Sequence, residues 1–197
     1  MTRYSPEHKT RTRRRIVRAA GRMFRAKGFA SAGVDAVMKS AGLTHGGFYA
    51  HFRSKQALFA EAIRDAVLRS GSSLEEGLED SEPREWLCAI VERYLSPEHL
   101  AGMRDGCPLP SLLSEIDRAP KAVKTAFHTA GMTRVESLAR RFGAIGADDP
   151  EGEATSTFAS LAGALAMARA MPDPEAAERI MGATRERLLE RIRNMGS

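Results

Sequence analysis

Apolar residues recur along this chain at intervals of three and four, the spacing that gathers them on one face of an α-helix. Nowhere do they alternate over a length that would suit a half-buried strand. From about residue 8 to 27, Ile16, Ala19, Ala20, Met23 and Phe24 form one stripe with the arginines on other faces, and Gly28 ends it. Val34, Val37 and Met38 mark a short second helix over 34–41, after which Gly42 supplies the backbone freedom that a tight interhelical turn demands. A third short helix is predicted over 45–52, with Thr44 as its N-cap and Phe48 and Phe52, four residues apart, packed against the first two helices. Ser54 then caps a long fourth helix to about Leu74, whose apolar positions are Leu58, Phe59, Ala62, Ile63, Ala66 and Val67.

Past that point Gly71-Ser72-Ser73 and the acidic stretch over 79–82 loosen the pattern, and prolines take over as start signals. Proline suits the first helical turn because its missing N–H is not needed there. Pro83, Pro120, Pro150 and Pro174 fill that role, the last two preceded by the caps Asp149 and Asp173 and followed by Glu151 and Glu175, which complement the helix dipole. With another short helix over 108–116 the expectation is an all-α chain of about nine helices. It divides into a three-helix head, residues 1–54, and a larger helical body, residues 55–197.

Composition narrows the function. With 43% hydrophobic and 28% charged residues the chain reads as an ordinary globular protein. No apolar run approaches the ~18 residues of a membrane span, and the first residues carry no secretory-type apolar stretch, so a cytoplasmic protein without membrane partners is expected. Cys88 and Cys107 form no Cys-x-x-Cys pair or Cys/His cluster, so neither a metal nor another cofactor is expected. No phosphate loop, His-Glu-x-x-His or nucleophile elbow occurs, which argues against an enzyme. The net charge of +5 conceals a steep asymmetry: residues 1–55 hold 13 Lys and Arg against 2 acids, and residues 56–197 hold 17 against 23. Such a polarity points to a head that binds a polyanion, nucleic acid foremost, on a body the same polyanion repels.

Residues 33–58 combine a helix, a glycine-containing turn, a second short helix and a basic exit, the layout of a helix-turn-helix whose second helix suits the major groove. The run Ala41-Gly42-Leu43-Thr44-His45-Gly46-Gly47-Phe48-Tyr49-Ala50-His51-Phe52-Arg53-Ser54-Lys55-Gln56-Ala57-Leu58 resembles the end of the head in the tetracycline-repressor (TetR) family of transcription regulators. The resemblance is specific and covers the first third of the chain. It implies base-edge contacts from Thr44 and His45, close backbone approach at Gly46 and Gly47, and phosphate contacts from Tyr49, His51 and Lys55. Family members often carry Thr where Gly47 stands and Ser or Thr where Gly33 stands, so direct readout here is expected to lean on Thr44, His45, the basic segment and DNA shape. That segment, Lys9, Arg11, Arg13, Arg14, Arg15 and Arg18, reads as a phosphate clamp, with Arg11, Arg14 and Arg15 its chief candidates. A solvated helix face is the alternative.

The resemblance also implies a body that dimerises and senses a small molecule. Small residues Ala159, Gly163 and Ala166 allow close helix approach, and Ile180, Leu188, Leu189 and Ile192 form an apolar stripe on the last helix. Together they are the candidates for a homodimer interface. Trp86, Tyr94, Met103, Cys107, Leu112, Phe127 and His128 are the candidates for an apolar ligand pocket. Cys107, ahead of a predicted helix N-terminus and near Arg104, has two features that depress a thiol pKa and would favour an electrophilic or oxidising effector, while Asp105 opposes them. The whole reading is a dimeric regulator, a repressor in the first instance, that binds a palindromic double-stranded operator and is released by its effector. The rival is an architectural or nonspecific DNA-binding protein, which would not need so large an acidic body.

Overall fold

The computed structural model describes residues 5–102 and 105–196. Among them run nine α-helices and one 3-10 turn, with no strand: α1 (Pro6–Ser31), α2 (Val34–Ser40), the turn His45–Gly47, α3 (Lys55–Glu75), α4 (Pro83–Tyr94), α5 (Pro97–Ala101), α6 (Leu109–Asp117), α7 (Lys121–Ala144), α8 (Pro150–Ala170) and α9 (Pro174–Asn194). The total of nine matches the expectation by compensation. The third predicted helix closes hydrogen bonds of the tighter 3-10 type over three residues only, and α5, unforeseen in the sequence, adds one. Its start was legible after all, since the Ser96 hydroxyl accepts from the His99 N–H at 3.1 Å with Pro97 in the first turn.

The other caps follow the sequence. Ser54 accepts from the Ala57 N–H at 3.1 Å, Asp149 from Gly152 at 3.0 Å, and Asp173 from Glu175 and Ala176 at 3.1 and 3.2 Å. Thr44 departs from expectation: it precedes the 3-10 turn, but its side chain makes no capping bond. Two glycine assignments also change. Gly28 does not end α1 but kinks it, with φ 78° and ψ 164°, and the helix resumes to Ser31. Gly71-Ser72-Ser73 stays helical, because Gly71 lies beneath Arg134 of α7, whose guanidinium pairs with Glu75.

Ile16, Ala20 and Phe24 of α1, Val37 and Met38 of α2, and Leu58, Phe59 and Ile63 of α3 bury together with Phe48 and Phe52, so the recognition turn hangs from a core of three helices. Phe24, Phe29 and Phe59 form an aromatic knot with ring centroids 4.6–5.7 Å apart. The long α3 continues into the body, where it packs along α7, α7 packs on α8, and α8 on α9.

Candidate nucleic-acid interface and internal cavity

The recognition turn is shaped by what lies under it. Phe48 and Phe52 are buried with rings 5.7 Å apart, which leaves Thr44, His45, Gly46 and Tyr49 on the outside. Tyr49 is 68% exposed, an unusual position for a large aromatic ring without a partner surface. The glycines separate by role. Gly42 has φ 67° and is required by its own backbone, whereas Gly33 and Gly46 have no positive φ and an added Cβ would meet nothing within 4 Å. The fold does not need glycine at either place; the flat surface they leave suits close approach of another molecule's backbone. Gly47 rests over Met38, 3.6 Å from where a Cβ would stand, so a larger residue could be accommodated there too.

Several basic residues counted as phosphate ligands serve the head itself. Arg13 stacks over the Phe52 ring at 4.1 Å, donates to both Glu61 oxygens at 3.0 and 3.1 Å from Nε, and donates to the His51 carbonyl, thereby tying α1 to the recognition turn and to α3. Arg15 donates to the Ala41 carbonyl at the end of α2 at 2.7 Å. Lys55 sits 4.4 Å over the Phe29 ring and donates to the Ala30 carbonyl at 3.2 Å. Arg14 is exposed, and Arg11, also exposed, approaches His8 Nδ1 at 3.3 Å. His51 is half-buried, with Nδ1 enclosed and lacking a hydrogen-bond partner; burial first, then Lys9, Arg13 and His8, push its imidazole below the usual range. It faces inward more than a phosphate ligand would. Asp35, which the sequence reading passed over, pairs with His45 Nδ1. Its only signal was an acid standing in a strongly basic head.

In the body, a partly open cavity of about 40 Å³ lies among α3, α4, α7 and α8 and the start of α6. Its walls include Leu74, Ile90, Leu109, Leu138 and Phe158, with Ser70, Tyr94, Cys107 and Arg134 as its polar residues. Of the pocket candidates, then, Tyr94 and Cys107 line this cavity. Trp86 is instead core beneath the Arg141 guanidinium, 3.8 Å from its ring; Leu112 is buried elsewhere, Phe127 is half-buried beside Gly131, His128 is exposed, and Met103 and Arg104 lie outside the described residues. The expectation of a depressed Cys107 pKa is corrected. Burial pushes the thiol up, outweighing the opposite pull of Tyr94, the Leu109 backbone, Arg169 and Arg25. The Cys107 N–H donates to His99 Nε2 at 3.2 Å while His99 Nδ1 donates to the Tyr94 carbonyl at 2.8 Å, an arrangement that only a neutral imidazole satisfies. Burial accordingly lowers the His99 pKa, against the raising effect of that carbonyl.

Helix α6 touches both the cavity and α1. Helix α6 begins at Leu109 on the cavity wall, and near its far end Glu115 receives the Phe29 N–H on both oxygens at 2.9 Å. That N–H follows Gly28, where the kink interrupts α1. The positive φ is what requires glycine there; a Cβ at Gly28 would also stand 2.8 Å from Glu115 Oε1 and displace that oxygen. Arg25, one turn earlier, is buried close to Cys107, and burial together with Arg69 brings its guanidinium down to about 10, still a cation at neutral pH.

The candidate dimer residues divide. Ala159 and Gly163 of α8 are exposed, with open space over Gly163, and Ala166 is half-buried beside Met167, which is 57% exposed. On α9, Ile180 is half-buried, while Leu188, Leu189 and Ile192 are buried within the chain's own core.

A helix-turn-helix head on an all-helical body defines a class of DNA-binding transcription regulators. Residues 16–62 match the family model of bacterial regulatory proteins of the tetR family, and residues 83–184, more than half of the chain, match the tetracyclin repressor-like C-terminal domain. The chain belongs to the TetR family of bacterial regulatory proteins. Among curated proteins it is similar to YdgC of Bacillus subtilis, an uncharacterized HTH-type transcriptional regulator, at 36% identity over 41% of this chain and 44% of that one. It is similar also to YerO of the same organism, likewise an uncharacterized HTH-type transcriptional regulator, at 33% over 37% of this chain and 26% of that one, so the matches span less than half of either relative. Among solved structures it shares its fold with a TetR-family regulator of Cytophaga hutchinsonii, at TM-score 0.79, 21% identity and 98% coverage of both chains. Reduced Escherichia coli NemR is similar at TM-score 0.77 and 19% identity, over 94% of this chain and 96% of that one. No helix among the described residues is long and apolar enough to cross a membrane.

Proposed function

We propose that two copies of this chain bind a two-fold symmetric operator and repress transcription from it, until a small molecule enters the cavity of the body. The observation that carries the reading is the recognition turn: a polar outer rim of Thr44, His45, Gly46 and Tyr49, anchored by buried Phe48 and Phe52, with Arg11 and Arg14 exposed on the same head. The strip of exposed Ala159, Gly163 and Met167 with half-buried Ala166 on α8 is the dimer surface, α9 contributing Ile180; Leu188, Leu189 and Ile192 support that surface from within. On this reading residues 1–54 act as the reading head and residues 55–197 as the body, in a cytoplasmic protein.

Release follows from size. A cavity of about 40 Å³ holds a water or two, whereas small-molecule sites run to about 300 Å³ or more, so an effector fits only the conformation in which Leu109 and the start of α6 have moved outward. That displacement draws Glu115 from the Phe29 N–H and alters the seat of the head, and the effector favours it in proportion to its differential affinity. The raised thiol pKa of Cys107 favours a noncovalent apolar effector over one captured by a thiolate. The test is a mobility shift on the DNA upstream of the protein's own gene, with Gly163→Arg beside the wild type. The wild type should retard the DNA as a dimer, and the variant should sediment as a monomer and lose tight binding. A dimeric Gly163→Arg with unchanged binding would dismiss this interface.

A further inference from the structure

We infer that Asp35 fixes the tautomer of His45, so that His45 selects a base presenting an amino group in the major groove, adenine or cytosine, at one position of each half-site. The inference rests on the operator-binding reading above and adds which chemistry is read. His45 begins the recognition turn, and its Nδ1 is engaged by the Asp35 carboxylate from the first turn of α2. A carboxylate is an acceptor only, so the pair places the ring proton on Nδ1. Nε2, across the ring, is then the nitrogen left for a partner, and in the neutral ring it carries a lone pair.

The ring is also held on another side, with the edge of Tyr49 against it at a centroid distance of 6.1 Å. Nothing crowds the approach: Gly46 and Gly33 leave open space where side chains would stand, and Gly33 is the residue that precedes α2 and Asp35. Such a fixed acceptor distinguishes bases. Adenine offers its N6 amino group and cytosine its N4 amino group in the major groove, whereas guanine and thymine offer oxygen or ring-nitrogen acceptors at the same depth and leave two lone pairs opposed. A carboxylate in a head that binds a polyanion is electrostatically costly, and its place beside the reading residue is accounted for by this positioning role.

The experiment is selection from random duplex DNA near pH 8, with wild type, His45→Ala and Asp35→Ala in the full-length chain. The wild type should enrich adenine or cytosine at one symmetric position by about five- to tenfold over guanine or thymine. His45→Ala should lose the preference at that position and keep the rest of the site. Asp35→Ala removes a negative charge from the DNA-facing surface, so it should bind every sequence more tightly while its preference at that one position falls to about twofold or less. A merely structural Asp35 would instead weaken all sequences together. Guanine or thymine at the His45-dependent position, an Asp35→Ala preference equal to the wild type's, or a symmetric site indifferent to His45 would each overturn the inference and leave the regulator reading standing. No enriched sequence for the wild type would overturn both.

Discussion

Gly28→Ala should be among the most damaging single substitutions in the chain, although it adds one methyl group at a half-buried site. The backbone there, φ 78° and ψ 164°, is a region open almost only to glycine, and forcing alanine into it costs about 1–3 kcal/mol. The new Cβ would also stand 2.8 Å from Glu115 Oε1, so the carboxylate must shift, and the Phe29 N–H keeps a weakened bond through Oε2. Full loss of a hydrogen bond to a charged group costs about 1.5–3 kcal/mol, and this weakening about 1–2 kcal/mol. Together the substitution should cost about 2–5 kcal/mol, or roughly 10 °C in Tm for a chain of this size. Glu115→Ala alone should cost the full loss of that bond, about 1.5–3 kcal/mol. Because both changes act on the same carboxylate, the double variant should be less destabilised than the sum of the two by about 1–2 kcal/mol. Thermal denaturation followed by circular dichroism, on the two single variants and the double, measures all three. A Gly28→Ala protein within about 0.5 kcal/mol of wild type, or strict additivity in the double variant, would refute the argument that the kink exists to admit Glu115.

Acidification should destabilise the fold through its histidines: burial holds His99 and His51 below the usual imidazole range, so the unfolded chain binds protons that the native one refuses. Stability should therefore fall as pH drops below about 6.5, and His99→Asn should flatten part of that slope in a Tm series from pH 8 to 5. Tyr94→Phe should cost no more than about 0.5 kcal/mol, since the buried hydroxyl has the Cys107 thiol as its neighbour and no hydrogen bond to a described oxygen or nitrogen; a loss several times larger in the same melting assay would mean that the hydroxyl is strongly hydrogen-bonded. N-Ethylmaleimide should label Cys107 in the native protein at least about tenfold more slowly than in denaturant, by mass spectrometry, and equal rates would restore it as a thiolate sensor. Arg14→Ala should lower the log-log salt slope of operator binding by about 0.9 for each head, whereas Arg13→Ala should lower thermal stability as well, because Arg13 joins α1 to Glu61 and His51.

The parts of the fold legible in the sequence are those decided within a few residues. Helical stripes, the Ser54, Asp149 and Asp173 caps and the starts at Pro83, Pro150 and Pro174 depend on local spacing and lie where periodicity and capping chemistry place them, whereas Pro120 is the N-cap of α7 and not part of its first turn. The motif over 41–58 was legible because its outer polar rim and its inner aromatics alternate on one short turn. The 3-10 geometry of that turn was not, since glycines at 46 and 47 remove the propensity that would have extended it into an α-helix. Contacts across long separations were silent. Nothing in the sequence distinguishes Arg13, which binds Glu61, from Arg14, which is exposed, and nothing pairs Glu115 with Phe29 across 86 residues. The pocket candidates were chosen for size and apolarity, properties that Trp86 and Leu112 share with any core residue; only the packing of α3, α4, α7 and α8 singles out Tyr94 and Cys107.

Sequence-specific binding by a symmetric pair of chains is the central property of such a regulator. Footprinting of the purified protein on DNA immediately upstream of its own gene, at about 150 mM salt because electrostatic affinity depends on it, with scrambled competitor and a titrated stoichiometry, tests that directly. The account predicts protection of a two-fold symmetric site by two chains, with half-sites a whole number of helical turns apart, resistant to the competitor. Protection that spreads without a boundary and yields to scrambled DNA, there and on every other sequence offered, would contradict it and leave a nonspecific binder in its place.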